Sequence, residues 1–232
     1  KNAMIDDRFS NSSINNELSI LSPFFVYANK VWNWSPLPNP CAAVKYRKVN
    51  NERNRVLSEG EQEALANALA TCDNPYLAPF VGLAIETAMR KGELLKTARW
   101  EMVDWQERVL RLPTAKGGKR DVPLTRAAVE LLKGMPNFGT SGPIFPVTEN
   151  AIDSAWERAC KRAGIENLHI HDLRHTSATR HAKRLNGNIF LLQLITGHKS
   201  LTMLKRYVNP TTKDALAALD ATEPAPHAPA PA

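Results

Sequence analysis

His171-Asp172-Leu173-Arg174-His175 stands in the last third of the chain, followed by Gly197-His198 and then Tyr207, with Arg90-Lys91-Gly92-Glu93 far upstream. Arginine offers a planar fork that matches phosphate oxygens, histidine moves protons or donates to an oxyanion, and tyrosine can attack phosphorus. The chemistry such a set could do is phosphoryl transfer on DNA. Cutting a strand without losing its bond energy needs a nucleophile that forms a covalent ester, a donor for the leaving 5′ oxygen, and cations around the pentavalent phosphorus. Tyr207, one of four tyrosines, is the candidate nucleophile. Taken alone, a tyrosine near a helix end is more often a core residue with its hydroxyl at the rim.

The other residues also have plainer readings. Gly197 falls where a helix should end, in the left-handed conformation glycine adopts freely, and would turn His198 off the helix axis toward a phosphate oxygen. The same Gly turn between short helices matches a helix-turn-helix, which binds DNA without cutting it. His171 and Arg174 are helix neighbours at the head of an apolar stripe through Ala178, Ala182 and Leu185, where an unpaired guanidinium would be costly. His171 and His175 also have the spacing of a helical zinc pair, but no Glu occupies the metalloprotease position between them. Arg90 closes an apolar helix, where an arginine commonly meets the helix dipole. Lys116 and Lys119 both belong to the turn Thr114-Ala115-Lys116-Gly117-Gly118-Lys119-Arg120.

The elements that must position these residues are mostly helical. Ile14, Leu18, Leu21, Phe25, Ala28 and Trp32 mark one helix face. Pro23 is expected to kink or shorten that helix, and the Pro-rich Ser35–Pro40 stretch to stop it. Ser58-Glu59-Gly60-Glu61 reads as a capping box opening a helix to Ala70. Further helices are expected over Pro75–Ala88 and Lys91–Thr97. Short alternating runs between Met102 and Leu124 predict a three-stranded antiparallel sheet with a Gly-Gly hairpin. Helices should follow over Thr125–Leu132, Thr148–Arg162, His171–Leu185, Asn188–Thr196, Ser200–Tyr207 and Thr211–Leu219. The expected fold class is thus mainly α with one small three-stranded antiparallel β-sheet.

At 232 residues, 43% hydrophobic and 23% charged, the chain can bury a real core. No apolar run approaches the roughly 18–20 residues that cross a bilayer. A net charge of +7 favours polyanions. Cys41, Cys72 and Cys160 are odd in number and widely spaced, which suits a reducing cytoplasm. The domains read as residues 1–40, the end of a helical domain; 41–57, a basic linker; 58–222, the main domain; and 223–232, a Pro/Ala tail. Lys1-Asn2-Ala3 ahead of Met4 fits an appended remnant on a truncated fragment. Lys45, Arg47 and Lys48 of the linker, Lys119 and Arg120 of the hairpin, and Lys199 and Lys205 beside the motif are expected to reach DNA phosphates.

In order and spacing the motif resembles the tyrosine recombinase (phage integrase) family, whose pattern runs Arg, hairpin Lys, His-x-x-Arg, Gly-His, then a tyrosine about nine residues on. The resemblance covers roughly Asn16–Leu219 and implies the catalytic-domain fold of DNA breaking-rejoining enzymes behind a partial core-binding domain. It implies Arg90, Lys116, His171, Arg174, His198 and Tyr207 as catalytic residues. Arg174 would clamp the scissile phosphate, His171 assist proton transfer from the tyrosine, Lys116 rather than Lys119 protonate the leaving oxygen, and Glu93 buttress the site. The implied reaction is site-specific recombination through a 3′-phosphotyrosyl ester, for integration or excision of a prophage or mobile element, with no metal, nucleotide or other cofactor. The implied partners are double-stranded attachment sites, three further protomers in a DNA-bound tetramer, and accessory DNA-bending proteins. A free monomer is expected, bacterial and cytoplasmic, with no membrane. Residues after Tyr207, through Ala215, Leu216 and Leu219, would dock on a neighbouring protomer or fold back. A non-catalytic DNA-binding module and a type IB topoisomerase are the rival readings.

Overall fold

The computed structural model describes residues 9–34, 38–49, 53–115, 118–208 and 211–220. The chain forms two compact units, Lys1–Arg53 and Asn54–Ala232. In the first, α1 spans Asn11–Val31, with Ser10 as its N-cap accepting from the Ser13 N–H. The helix runs unbroken through Pro23, against the expected early end. Two local features brace the helix around the proline. Asn39 donates to the Ser22 hydroxyl at 3.0 Å and to the Ser22 carbonyl. Beyond the proline, Phe24 and Tyr27 pack edge-on against Trp32, at 5.9 and 5.6 Å between ring centres. The start of the expected linker is tied down rather than free. The Asn15 amide pairs with the backbone of Arg47, accepting from its N–H at 2.9 Å and donating to its carbonyl at 2.8 Å.

The second unit opens with α2, Glu59–Ala70, behind the Ser58/Glu61 capping box. Arg55 pairs with Glu61, and that hydrogen bond, with those from Ser58, pulls the carboxyl down to about 2. Helix α3, Leu77–Thr87, ends in a left-handed Ala88 at φ 53°. The expected helix after it is a single π turn, Glu93–Thr97, whose wide backbone bond joins the Ala98 N–H to the Glu93 carbonyl. Strands β1, Val103–Asp104, β2, Val109–Ala115, and β3, Gly118–Pro123, form one antiparallel meander in that order. Leu110 faces Val122 and Leu112 faces Arg120, all with side chains on the core side. Lys116 and Gly117, the tip of the expected Gly-Gly hairpin, lie outside the described residues, as do Ser35–Leu37 and the Pro/Ala tail.

Helices α4, Arg126–Lys133, α5, Glu149–Arg162, α6, Ile170–Arg184, and α7, Ile189–Thr196, complete the body. Phe80, Phe145, Leu83, Leu94, Ile152 and Leu173 are fully buried between them and anchor the core. The helix expected over Ser200–Tyr207 is instead two 3₁₀ turns, Leu201–Met203 and Lys205–Tyr207, hinged on a fully buried Leu204. Bonds of the i→i+3 type, such as Tyr207 N–H to the Leu204 carbonyl at 2.9 Å, wind the chain tightly here. Helix α8, Thr212–Asp220, follows, with Leu216 and Leu219 exposed. No helix among the described residues is long and apolar enough to cross a membrane.

Candidate active site

Arg174 is buried on α6, with 4% of its surface exposed. Its guanidinium spans the ends of two helices, donating to the Ala88 carbonyl after α3 and, at 2.5 Å, to the Thr196 carbonyl closing α7. Helix C-termini carry partial negative charge, so these carbonyls supply what a carboxylate would otherwise have to. The left-handed Ala88 turns its carbonyl inward for this bond. Burial, then the neighbouring Arg90 and Arg120, push Arg174 down to about 9, which leaves it charged at neutral pH.

Glu93, 5% exposed, is the hub beside it. It accepts from the Arg90 N–H at 3.0 Å, the Arg90 guanidinium at 2.7 Å and Arg120 at 2.6 Å. Arg120 also donates to the Ile195 carbonyl at the end of α7. This corrects the expectation that Arg120 reaches DNA. It lies on β3 two residues before the buried Val122, and side chains two apart share a face, so it points into the core and is 9% exposed. Three guanidinium groups thus gather around one carboxylate, leaving a net positive site that favours an anion such as phosphate.

Gly197 caps α7 in the left-handed conformation, φ 64°. A Cβ there would lie 2.6 Å from Arg120 Nε, and the Glu93 and Ile195 bonds hold that side chain in place. Gly197→Ala is therefore expected to destabilise the unit by about 2–4 kcal/mol, left-handed strain adding to overpacking. The urea midpoint measures this, and an unchanged midpoint would show that Arg120 yields freely. After the glycine, His198 Nδ1 lies 2.8 Å from the Thr196 hydroxyl, which itself donates to the Leu192 carbonyl at 2.7 Å. The hydroxyl oxygen must then accept from Nδ1–H, which leaves Nε2 unprotonated in the neutral ring. Burial, then Arg174 and Arg90, lower His198 to about 4.

Tyr207 ends the second 3₁₀ turn with its ring against Leu204 and its neighbours. Its hydroxyl lies 2.5 Å from His175 Nδ1, and its ring centre 6.3 Å from that of His198. Arg206 sits over the ring at 5.7 Å. Burial raises the phenol above its usual 10.0, against the pull of Arg206 and Arg174. His171 is exposed and meets His175 edge-on at 5.5 Å. The cluster thus gathers Arg90, Arg174, His198 and Tyr207, with His171 at its rim.

Lys116 lies outside the described residues. Lys119, Lys199 and Lys205 are exposed in the second unit, and Lys45 and Lys48 in the first. Arg47 is half-buried, its guanidinium donating to Asn11 at 3.3 Å. Two residues of the cluster escaped the sequence reading. Spacing marks His175 only as half of a helical metal pair, and composition marks Arg120 only as a surface charge, although strand alternation with Val122 makes it inward. Among the described residues no group of three or more His, Cys, Asp or Glu side chains could hold a metal ion.

A model of the Phage integrase family matches residues 55–214, which hold the whole cluster. The chain belongs to the phage integrase family. This integrase-family chain is 38% identical over 206 residues to the Shufflon-specific DNA recombinase of Escherichia coli, covering 88% of the chain and 53% of that relative. The Integrase of Salmonella phage P22 is 26% identical over 211 residues, covering 83% of the chain and 52% of the relative. The chain thus spans about half the length of these two curated relatives. A lambda integrase dimer bound to a COC′ core site matches with TM-score 0.69 at 23% identity, over 90% of this chain and 62% of that one. The XerH site-specific recombinase bound to palindromic difH substrate, a post-cleavage complex, matches with TM-score 0.66 at 19% identity, over 94% and 67%. At these identities the structures show the fold, which is the mainly helical one with a small antiparallel sheet.

Proposed function

We propose that the protein is a site-specific DNA recombinase that breaks and rejoins strands through a 3′-phosphotyrosyl ester on Tyr207. The observation that carries this reading is a tyrosine hydroxyl held by a histidine beside three guanidinium groups, two sharing the Glu93 carboxylate and the third, that of Arg174, held by helix-end carbonyls. As Tyr207 Oη bonds to phosphorus, the P–O5′ bond breaks and the 5′ oxygen takes a proton, which the resemblance assigns to Lys116. Arg90 and Arg174 hold the non-bridging oxygens. Arg174 spends two of its five N–H donors on carbonyls and keeps the rest for phosphate. His198 joins them once the phosphate's negative charge favours protonation of its Nε2.

Rejoining reverses these steps, because the ester stores the bond energy, so the chemistry calls for neither nucleotide nor metal. The finer reading is integration, excision or inversion of a mobile element, between attachment sites held by four protomers. The relatives' names, a shufflon recombinase and phage integrases, support it.

The test uses a nicked duplex carrying a site selected by the full chain from a random-sequence pool, in EDTA without ATP. The nick lets the 5′ fragment diffuse away and traps the ester. An SDS-stable adduct whose modified peptide contains Tyr207, and strand exchange between two such sites, are the expected results. Tight binding without an adduct would leave only a DNA-binding module.

A further inference from the structure

We infer that Thr196 is a positioning residue for strand cleavage, its hydroxyl orienting the His198 ring while its carbonyl holds the Arg174 guanidinium, an inference that rests on the strand-cleavage reading above. Thr196 is fully buried at the end of α7. Its hydroxyl donates to the Leu192 carbonyl one turn back, at 2.7 Å, which fixes the side chain in one of the two rotamers open to a helical threonine. The same oxygen lies 2.8 Å from His198 Nδ1 and has only a lone pair left to offer it. His198 reaches a residue two positions earlier because the left-handed Gly197 between them turns the chain back. Gln193 secures the main chain, its amide donating to the His198 carbonyl at 2.9 Å. The amide therefore fixes the backbone of His198 and the threonine hydroxyl fixes its ring.

A histidine's tautomer is set by the hydrogen bond that one ring nitrogen makes. Arg90, Arg120 and Arg174 surround this ring with donors only, His175 also faces it, and the Tyr207 ring centre is 6.3 Å away. Thr196 supplies the acceptor that keeps a proton on Nδ1. Nε2 is then the free position, able to take up a proton and donate it to a phosphate oxygen. Through its carbonyl, 2.5 Å from the Arg174 guanidinium, the same residue sets the clamp. The two groups that meet the phosphate thus share one support, and their spacing is fixed before DNA arrives.

Thr196→Val tests this, because it keeps the side-chain shape and the carbonyl for Arg174 and removes only the hydroxyl. Nitrogen-15 NMR at neutral pH, where the His198 ring is uncharged, reads which nitrogen carries the proton, with the resonances assigned by their loss in His198→Gln. Wild type and Thr196→Ser are expected to show a protonated Nδ1 and a bare Nε2, and Thr196→Val to lose that pattern. Single-turnover cleavage of the selected nicked duplex by Thr196→Val should be about 10–10²-fold slower, the scale on which removing a histidine's orienting partner acts in metal sites. Thr196→Ser should recover most of the rate. Wild type with its His198 proton on Nε2 would overturn the role without any variant, so the test stands even if the valine variant does not fold. A valine variant with the wild-type tautomer or the wild-type rate would overturn it too. So would a serine variant as slow as the valine one, since that pattern marks a packing defect. No adduct with wild type would overturn the strand-cleavage reading and this role together, whereas an adduct with unaltered variants would remove only the role of Thr196.

Discussion

Changing Tyr207 to phenylalanine is expected to abolish the covalent protein–DNA adduct, a loss of roughly 10⁴-fold or more, as for removal of other enzymatic nucleophiles. The substitution deletes one oxygen. The ring keeps its place against Leu204 and under Arg206, so the fold should lose only the hydrogen bond to His175, about 1 kcal/mol. Affinity for the selected duplex and its salt dependence should stay at wild-type values, since both come from phosphate contacts that the change leaves alone. The contrast between normal binding and absent adduct is what identifies a nucleophile. An adduct persisting in the Phe variant would move the attack elsewhere. Tyr76 is a poor substitute, packed beside Phe145 at 6.4 Å with no part in the arginine cluster.

The local signals in the sequence carried far. Ser58, Thr125, Thr148 and Asn188 each cap a helix start, and each accepts from the N–H three residues on. Such signals are legible because donor and acceptor lie within one turn. Gly197 was legible for the same reason, its left-handed φ being a local demand. Pro23 misled because proline propensity is weak against an aromatic cluster and an amide gathered from residues up to sixteen positions away. The Ser200–Tyr207 stretch has helical composition, yet a single buried anchor, Leu204, winds it as 3₁₀ turns. What pairing alone could not reveal was the wiring of the site. Arg120 reaches Glu93 across 27 positions and Ile195 across 75, and His175 reaches Tyr207 across 32. Contacts of that range leave no trace in spacing, although the parity of Arg120 with Val122 did indicate its face.

That wiring makes Glu93 the residue whose loss should cost stability most. Glu93→Gln keeps the shape but removes the charge that neutralises a buried Arg120 and orients Arg90. Breaking a buried ion pair from one side costs about 3–5 kcal/mol, because the remaining charge is left uncompensated. For a unit of this size that corresponds to a fall in Tm of roughly 6–20 °C. Burial by itself would raise the Glu93 carboxyl, but Arg120 and the bonds from Arg90 outweigh it and hold the group below its ordinary 4.5. A carboxyl lowered in the folded state stabilises the fold above its unfolded value and loses that contribution as the pH falls toward the folded one. The Tm difference between wild type and Glu93→Gln should therefore be full at pH 7 and narrow below about pH 4.5. Adding Arg120→Met should recover much of the stability by removing the stranded charge along with its partner. It should not recover cleavage, because Arg90 would still lack the carboxylate that aims it at phosphate. If the double variant cleaved like wild type, the carboxylate would serve only to neutralise Arg120, and the aim of Arg90 would have to come from the phosphate itself.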